Sequence, residues 1–208
     1  MKVLALQGSP RSNGNANAAL CELGHEFQNL GVDFEVFQIG NKPVRDCIAC
    51  GACSNGGGCA FAAEDGVGSF TEKAKAANGI VIATPVYYAH PAGCVLSFLD
   101  RVFYSSQGAF AGKVGASVAI ARRAGTCATF DAMNKYFGIS AMPVAASTYW
   151  NVGFGLEKGE FVRDAEGVQT MHNLAKNMTW LMQSIQAGKN AGIQPPVYES
   201  GNVFNFIR

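Results

Sequence analysis

Four of the seven cysteines, Cys47, Cys50, Cys53 and Cys59, fall within thirteen residues as C-x2-C-x2-C-x5-C. Thiolate ligands select zinc, copper(I) or iron-sulfur clusters over hard cations, and a compact run of three cysteines with a fourth close behind has an iron-sulfur spacing. On residues alone, two alternatives stay open. Four thiolates also close a structural zinc site, although zinc knuckles usually present two separated pairs, and the segment could be a cysteine-bearing loop without metal. Cys21, Cys94 and Cys127 lie in or beside expected helices and read as small buried residues.

A second chemical signal is the stretch Gly8-Ser9-Pro10-Arg11-Ser12-Asn13-Gly14-Asn15-Ala16. If it joins a strand to a helix, the first N–H groups of that helix have no internal partner and the helix dipole favours an anion. Ser9, Ser12 and Asn15 add uncharged donors, and Arg11 can add a charge-assisted hydrogen bond. A phosphate suits this set, and a polar connector with a helix cap is the plainer reading. No Gly-Lys-Ser/Thr follows and the G-x-G-x-x-G spacing is missing, which disfavours ATP and a Rossmann-type NAD site.

Pro85, Val86, Tyr87 and Tyr88 offer backbone donors and aromatic surface on which a flat ring could rest, or they simply pack a loop under Pro91. Arg122, Arg123 and Gly125 bring positive charge and exposed backbone to the end of a later strand, where an anionic reduced ring would be stabilised. Paired surface arginines are more often merely solvated. His25, His90 and His172 are scattered, and only His90 is near the proposed ring loop. No Ser-His-Asp or metal-histidine constellation emerges.

These residues need elements to hold them. Val3–Leu6 is a short apolar run ending at a glycine, as expected of a strand buried on both faces. Apolar positions from Ala16 to Leu30 draw one helical face over 15–30, and Gly31 ends it. A second strand is expected over 32–39, a helix over 69–77, a third strand over 80–83 ended by Thr84-Pro85, and a helix opened by Pro91 through 104. Strand four is expected over 114–121, a helix over 128–137, strand five over 144–149, and a last helix over 166–187. Five strands alternating with helices predict an α/β fold, a doubly wound five-stranded parallel sheet with helices on both faces. The chain reads as a single domain over 1–208, with a cysteine-rich loop at about 44–62 and an irregular tail at about 189–208.

Composition narrows the function classes. The chain has 208 residues, 49% hydrophobic content, 15% charged residues and a net charge of +1, so nothing favours a disordered chain or a nucleic-acid binder. Its apolar start is far too short for a signal-peptide core or membrane span. A cytoplasmic protein with reduced thiols is expected.

Gly-Ser-Pro-Arg-x-x-Gly-Asn after a first strand resembles the phosphate loop of the flavodoxin-like NAD(P)H-dependent FMN reductases. Thr84-Pro85-Val86-Tyr87-Tyr88 is similar to that family's flavin-ring loop. Ala121-Arg122-Arg123-Ala124-Gly125 continues the likeness, and Ser147-Thr148-Tyr149-Trp150-Asn151 resembles an aromatic segment after strand five. The likeness covers residues 1 to about 151. It implies FMN held at the phosphate by Ser9, Arg11, Ser12, Asn15 and Ala16, and at the ring by Pro85, Val86, Tyr87 and Tyr88, with Arg122, Arg123 and Gly125 nearby. The flavin carries the chemistry, and no catalytic side chain is assigned.

With Cys47, Cys50, Cys53 and Cys59 inserted after strand two, the chain resembles the archaeal-type iron-sulfur flavoproteins. That implies a [4Fe-4S] cluster passing electrons between ferredoxin and FMN, in a homodimer or tetramer with the cluster and flavin of neighbouring subunits close together. Oxygen, peroxide or a quinone-like compound would be the small-molecule acceptor. A cluster-free FMN or quinone reductase fed by NAD(P)H and a non-enzymatic electron carrier or redox sensor are the rival readings.

Overall fold

The computed structural model describes residues 1–199 and 201–202. The chain runs β1 (Lys2–Gln7), α1 (Asn15–Asn29), β2 (Asp33–Gln38), α2 (Val67–Ala76), β3 (Gly79–Tyr87), β4 (His90–Pro91), α3 (Gly93–Ser106), β5 (Val114–Ala121), α4 (Thr126–Ile139), β6 (Val152–Phe154) and α5 (Ala165–Asn190). Five strands form a parallel path in the order β2-β1-β3-β5-β6, and the two-residue β4 pairs antiparallel with the end of β3. Counting only the parallel strands, this is the flavodoxin-like order, and the crevice at its reversal lies beyond β1 and β3.

Strand alternation divides the core. Val3 and Ala5 face α1 and α5, where Leu20, Leu23, Phe27, Met171, Leu174 and Met178 pack against them. Leu4 and Leu6 face the opposite layer, with Phe70 of α2, Phe98 and Leu99 of α3, and Phe137 of α4. Each of these large side chains is fully buried and contributes about 1.5–3 kcal/mol from removal of apolar surface from water. Phe70 and Phe98 meet edge to face with ring centres 5.5 Å apart, joining α2 to α3. The cysteine segment lies between β2 and α2.

Several sequence expectations are corrected. Strand five is Val152–Phe154, not 144–149; within the earlier stretch only Val144 makes a bridge, to Gly115. Ser147–Asn151 consequently precedes the last strand instead of following it. β3 runs through Pro85, which pairs in register with Ile120, because the strand turns back as a hairpin through β4. Pro91 belongs to that hairpin, and α3 starts at Gly93. The expected irregular tail begins after Asn190, where α5 ends, and Ser200 and residues 203–208 lie outside the described residues. Among the described residues, no helix is long and apolar enough to cross a membrane.

Candidate functional site

The loop after β1 is built by amides that hold its backbone and leave its tip free. Gly8 N–H donates to Ala83 O at 2.8 Å, tying this loop to β3. A Cβ on Gly8 would lie 2.3 Å from Val95 Cγ2 and 2.9 Å from Ala83 O, so only glycine permits the approach. Buried Gln7 accepts from Ser9 N–H through Oε1 at 2.7 Å and donates through Nε2 to Arg11 O at 2.9 Å. Ser9 Oγ accepts from Arg11 N–H at 3.1 Å, and Gln38 Nε2 donates to Ser9 O at 3.2 Å.

Arg11 and Ser12 are exposed, whereas Ser9 and Ala16 are buried. Gly14 caps α1 without a side-chain bond, so the first-turn N–H groups, those of Asn15 and Ala16 included, have no partner within the helix. This donor set fits a phosphate. The Asn15 side chain is engaged elsewhere, since Nδ2 donates to Glu157 O at 2.9 Å and Oδ1 accepts from Phe161 N–H at 3.0 Å. It ties the first loop to the segment after β6, and its backbone N–H remains at the helix start.

Thr84 shapes the proposed ring loop. Its Oγ1 accepts from Ala92 N–H at 3.1 Å and donates to Pro85 O at 3.0 Å, closing the base of the hairpin. Tyr88 and Ala89 take left-handed backbone conformations, with φ of 53° and 60°. The turn leaves Tyr87 and Tyr88 exposed. Gly125, at φ 88°, sits where a Cβ would meet Ala89 Cα at 2.6 Å and Val86 Cγ1 at 3.0 Å. The turn after β3 and the loop after β5 therefore approach each other closely at Ala89 and Gly125.

Arg122 and Arg123 are exposed and line an open hollow of about 590 Å³ with Phe154, Leu156, Glu160 and Arg163. Hydrogen bonds from the Glu157 and Leu156 N–H groups, then the nearby Arg163, hold the Glu160 carboxyl below its ordinary value. Tyr87 and Tyr88 do not line that hollow. The structure thus joins the ring hairpin to Gly125 and places the arginine pair toward β6.

Cys47, Cys50, Cys53 and Cys59 all line a single cavity of about 450 Å³, together with Asp46, Phe61, Arg101 and Tyr104. The segment has little regular structure, a 3-10 turn over Ala52–Asn55 bounded by Gly51 and Gly56 in left-handed conformations. Among the described residues, no three His, Cys, Asp or Glu side chains converge closely enough to share one metal ion. The four cysteines share the lining of one hollow.

Arg101, on the buried side of α3, was not singled out by the sequence. Its position was nevertheless legible as a charge three residues after Phe98 and four before Ser105, both buried. Its Nε donates to Cys59 Sγ at 3.3 Å, Nη2 to Phe61 O at 2.7 Å, and Nη1 to Arg45 O at 3.2 Å and to the Asp65 carboxylate. Asp65 also accepts from Arg45 N–H at 3.1 Å, and the Arg45 guanidinium lies 4.5 Å from the Phe61 ring centre. Ser97 Oγ, one turn earlier on α3, donates to Asp46.

The remaining expectations divide. Cys94 is partly buried, and burial pushes its thiol up. Cys21 and Cys127 are exposed, not buried as expected, because each falls on the outer side of its helix. All seven cysteines are free thiols. His90 is exposed on β4 opposite Tyr87, and Trp150 is half-exposed against Tyr149, outside the core.

Known proteins agree with this geometry. Iron-sulfur flavoproteins of Methanocaldococcus jannaschii and Methanosarcina thermophila are 28% and 27% identical over 194 residues, covering 89% and 91% of this chain and the full length of each relative. RosB, solved with a bound riboflavin-5′-phosphate derivative, superposes with a TM-score of 0.68 at 15% identity, over 100% of this chain and 96% of its own, a likeness of fold. The NADPH-dependent FMN reductase family matches residues 1–157, which include β1 with the loop after it, the β3 hairpin and β6. The chain belongs to that family and is a flavin-dependent oxidoreductase.

Proposed function

We propose that this chain moves electrons between a low-potential donor, a [4Fe-4S] cluster on Cys47, Cys50, Cys53 and Cys59, and FMN, which reduces a small acceptor such as oxygen, peroxide or a quinone. The observation that carries the reading is the four cysteines lining one cavity of about 450 Å³, with Cys59 bonded to Arg101 of α3, on an FMN-family scaffold. A tetrahedral zinc draws four sulfurs to about 2.3 Å from one centre. The C-x2-C-x2-C-x5-C run, without two separated pairs, favours an iron-sulfur cluster over zinc. The names of the two archaeal relatives support the same choice.

FMN, when bound, exchanges electrons in pairs with hydride donors and singly with one-electron partners. The chain's own residues bind and orient. Ser9, Arg11, Ser12 and the N–H groups of Asn15 and Ala16 would hold the phosphate. Pro85, Val86, Tyr87 and Tyr88 would seat the ring, with Gly125 keeping the hairpin close and Arg122 and Arg123 lending positive charge from the β6 side. Reduced ferredoxin is the proposed donor and NAD(P)H the rival one that the family suggests. Homodimers or tetramers would bring clusters and flavins of neighbouring copies together, and a reducing cytoplasm suits seven free thiols.

Anaerobic purification with iron, sulfide and flavin analysis tests this reading. One FMN with about four iron and four sulfide per chain is expected. FMN without iron and sulfide would overturn the cluster route and leave a hydride-fed reductase. Faster reduction by reduced ferredoxin than by NADPH identifies the donor; the reverse order removes ferredoxin from the scheme.

A further inference from the structure

Arg101 is 2% exposed and carries a full charge inside the protein. A buried guanidinium is tolerated only when paired and hydrogen-bonded. Its partners are unusual in where they lie along the chain: the Arg45 carbonyl precedes the cysteine segment, while the Cys59 sulfur, the Phe61 carbonyl and Asp65 close it. One side chain on a rigid helix thus gathers both ends of the segment. The planar fork of arginine can satisfy such divergent acceptors at once, whereas a lysine ammonium cannot reproduce its directions.

We propose that Arg101 is a positioning residue of the cysteine site, and that its Nε–H bond to the Cys59 sulfur favours the one-electron-reduced form of a [4Fe-4S] cluster bound there. The inference rests on the cluster reading above. Among the described residues, Cys59 is the only one of the four whose sulfur accepts a side-chain hydrogen bond. A neutral thiol is a weak acceptor. Metal-bound thiolate carries more negative charge, so the same contact becomes charge-assisted.

A single electron from an external one-electron donor adds negative charge to the cluster and its sulfurs. No bond need break and no proton need move. The Nε–H bond is therefore stronger after reduction than before, and an interaction stronger in the reduced state raises the reduction potential. Asp65 balances the charge of the guanidinium. What reaches Cys59 is a directed N–H dipole, so the effect is confined to one ligand out of four.

The experiment uses anaerobically prepared, iron-replete full-length protein labelled with 15N-arginine, examined by pulsed EPR after reduction with dithionite. A 15N coupling to the reduced cluster that disappears in equally labelled Arg101→Lys protein is expected. In a redox titration the iron-replete Arg101→Lys variant should show a midpoint shifted to lower potential, by about tenfold in the reduced-to-oxidised ratio at fixed solution potential, which is ~59 mV for one electron.

Wild-type protein that holds no iron or sulfide overturns the cluster reading and this inference with it. Wild-type protein with its cluster but without the 15N coupling overturns this inference alone, as does an iron-replete Arg101→Lys variant with an unchanged midpoint. Should Arg101→Lys fail to keep its iron, the coupling in the unsubstituted protein decides the matter.

Discussion

The loop after β1 and the cysteine segment are both candidate cofactor sites, yet they are held in opposite ways. The first is seven residues between a strand and a helix, its backbone braced by Gln7, Ser9 and Gln38 and by contact with Ala83. Its exposed groups, Arg11 and Ser12, are spare donors on a frame already complete. The cysteine segment has one 3-10 turn, and its ends are secured by a buried guanidinium on a helix that starts far along the chain. Anion binding needs only the N–H groups that every helix start provides, so local structure suffices. Four cysteines on a segment with almost no regular structure need a separate anchor, and that anchor has to come from tertiary packing.

Substitutions should separate the two regions. The largest effect is expected of Cys50→Ser, which should lose most iron and sulfide while retaining FMN; equal loss of flavin would show that the two sites are one. Arg101→Ala leaves Asp65 buried without its partner and should cost on the order of 3–5 kcal/mol in urea unfolding of the metal-free protein. Asp65 Oδ1 already lacks a partner, which leaves the carboxylate little to fall back on. A replacement of both residues by Arg101→Met and Asp65→Leu should recover much of that stability without recovering the cluster's potential. An Arg101→Ala protein as stable as the original would show that the segment is held by something else.

Gly8→Ala should weaken FMN binding and cost about 1–3 kcal/mol in unfolding free energy, because the backbone oxygen of Ala83 cannot move aside cheaply. Iron content should stay unchanged. Ser12→Ala removes a free hydroxyl and should weaken FMN binding by a few-fold to about tenfold, the equivalent of one hydrogen bond, with no effect on stability. Unchanged affinity would take Ser12 out of the phosphate set.

The smallest effect belongs to the scaffold shared by both regions. Hydrogen bonds from Lys2 and then Lys73 lower the Glu35 carboxyl from its ordinary value. A depressed carboxyl contributes stability above its unfolded value and loses it as pH falls through the folded one. Glu35→Gln should therefore cost up to about 1 kcal/mol at neutral pH, and the difference should vanish in acid. A difference that grew in acid would reverse the assignment.

The last helix was legible because Val168, Met171, Leu174, Ala175 and Met178 repeat at helical spacing over a long stretch, and the structure extends it only by a turn's margin. β6 was not legible, since its three residues are too few to show alternation. The preceding Val144–Tyr149 run has strand-like composition, but Asn177 Nδ2 of α5 donates to Ala146 O, a backbone carbonyl that a neighbouring strand would need. Proline at 85 reads as a stop because it lacks an N–H, and it is accommodated near the end of β3. The loop after β1 and the cysteine run stood out in the sequence as residue types at fixed spacing. Asn15's bond to the far side of the site and the grip of Arg101 join residues separated by 142 and 42 positions, which no local pattern encodes.

Arg101 also bears on how the segment can be gained or lost in descent. A lineage that lost the whole segment from Arg45 to Asp65 while keeping α3 would inherit a buried cation stripped of its acceptors, a cost large enough that selection should replace it with an apolar side chain soon afterward. The presence of that segment and the residue at this one helical position should then change together across lineages. Where only the cysteines erode, Asp65 and the Arg45 and Phe61 carbonyls keep the guanidinium paired, so the arginine should outlast them.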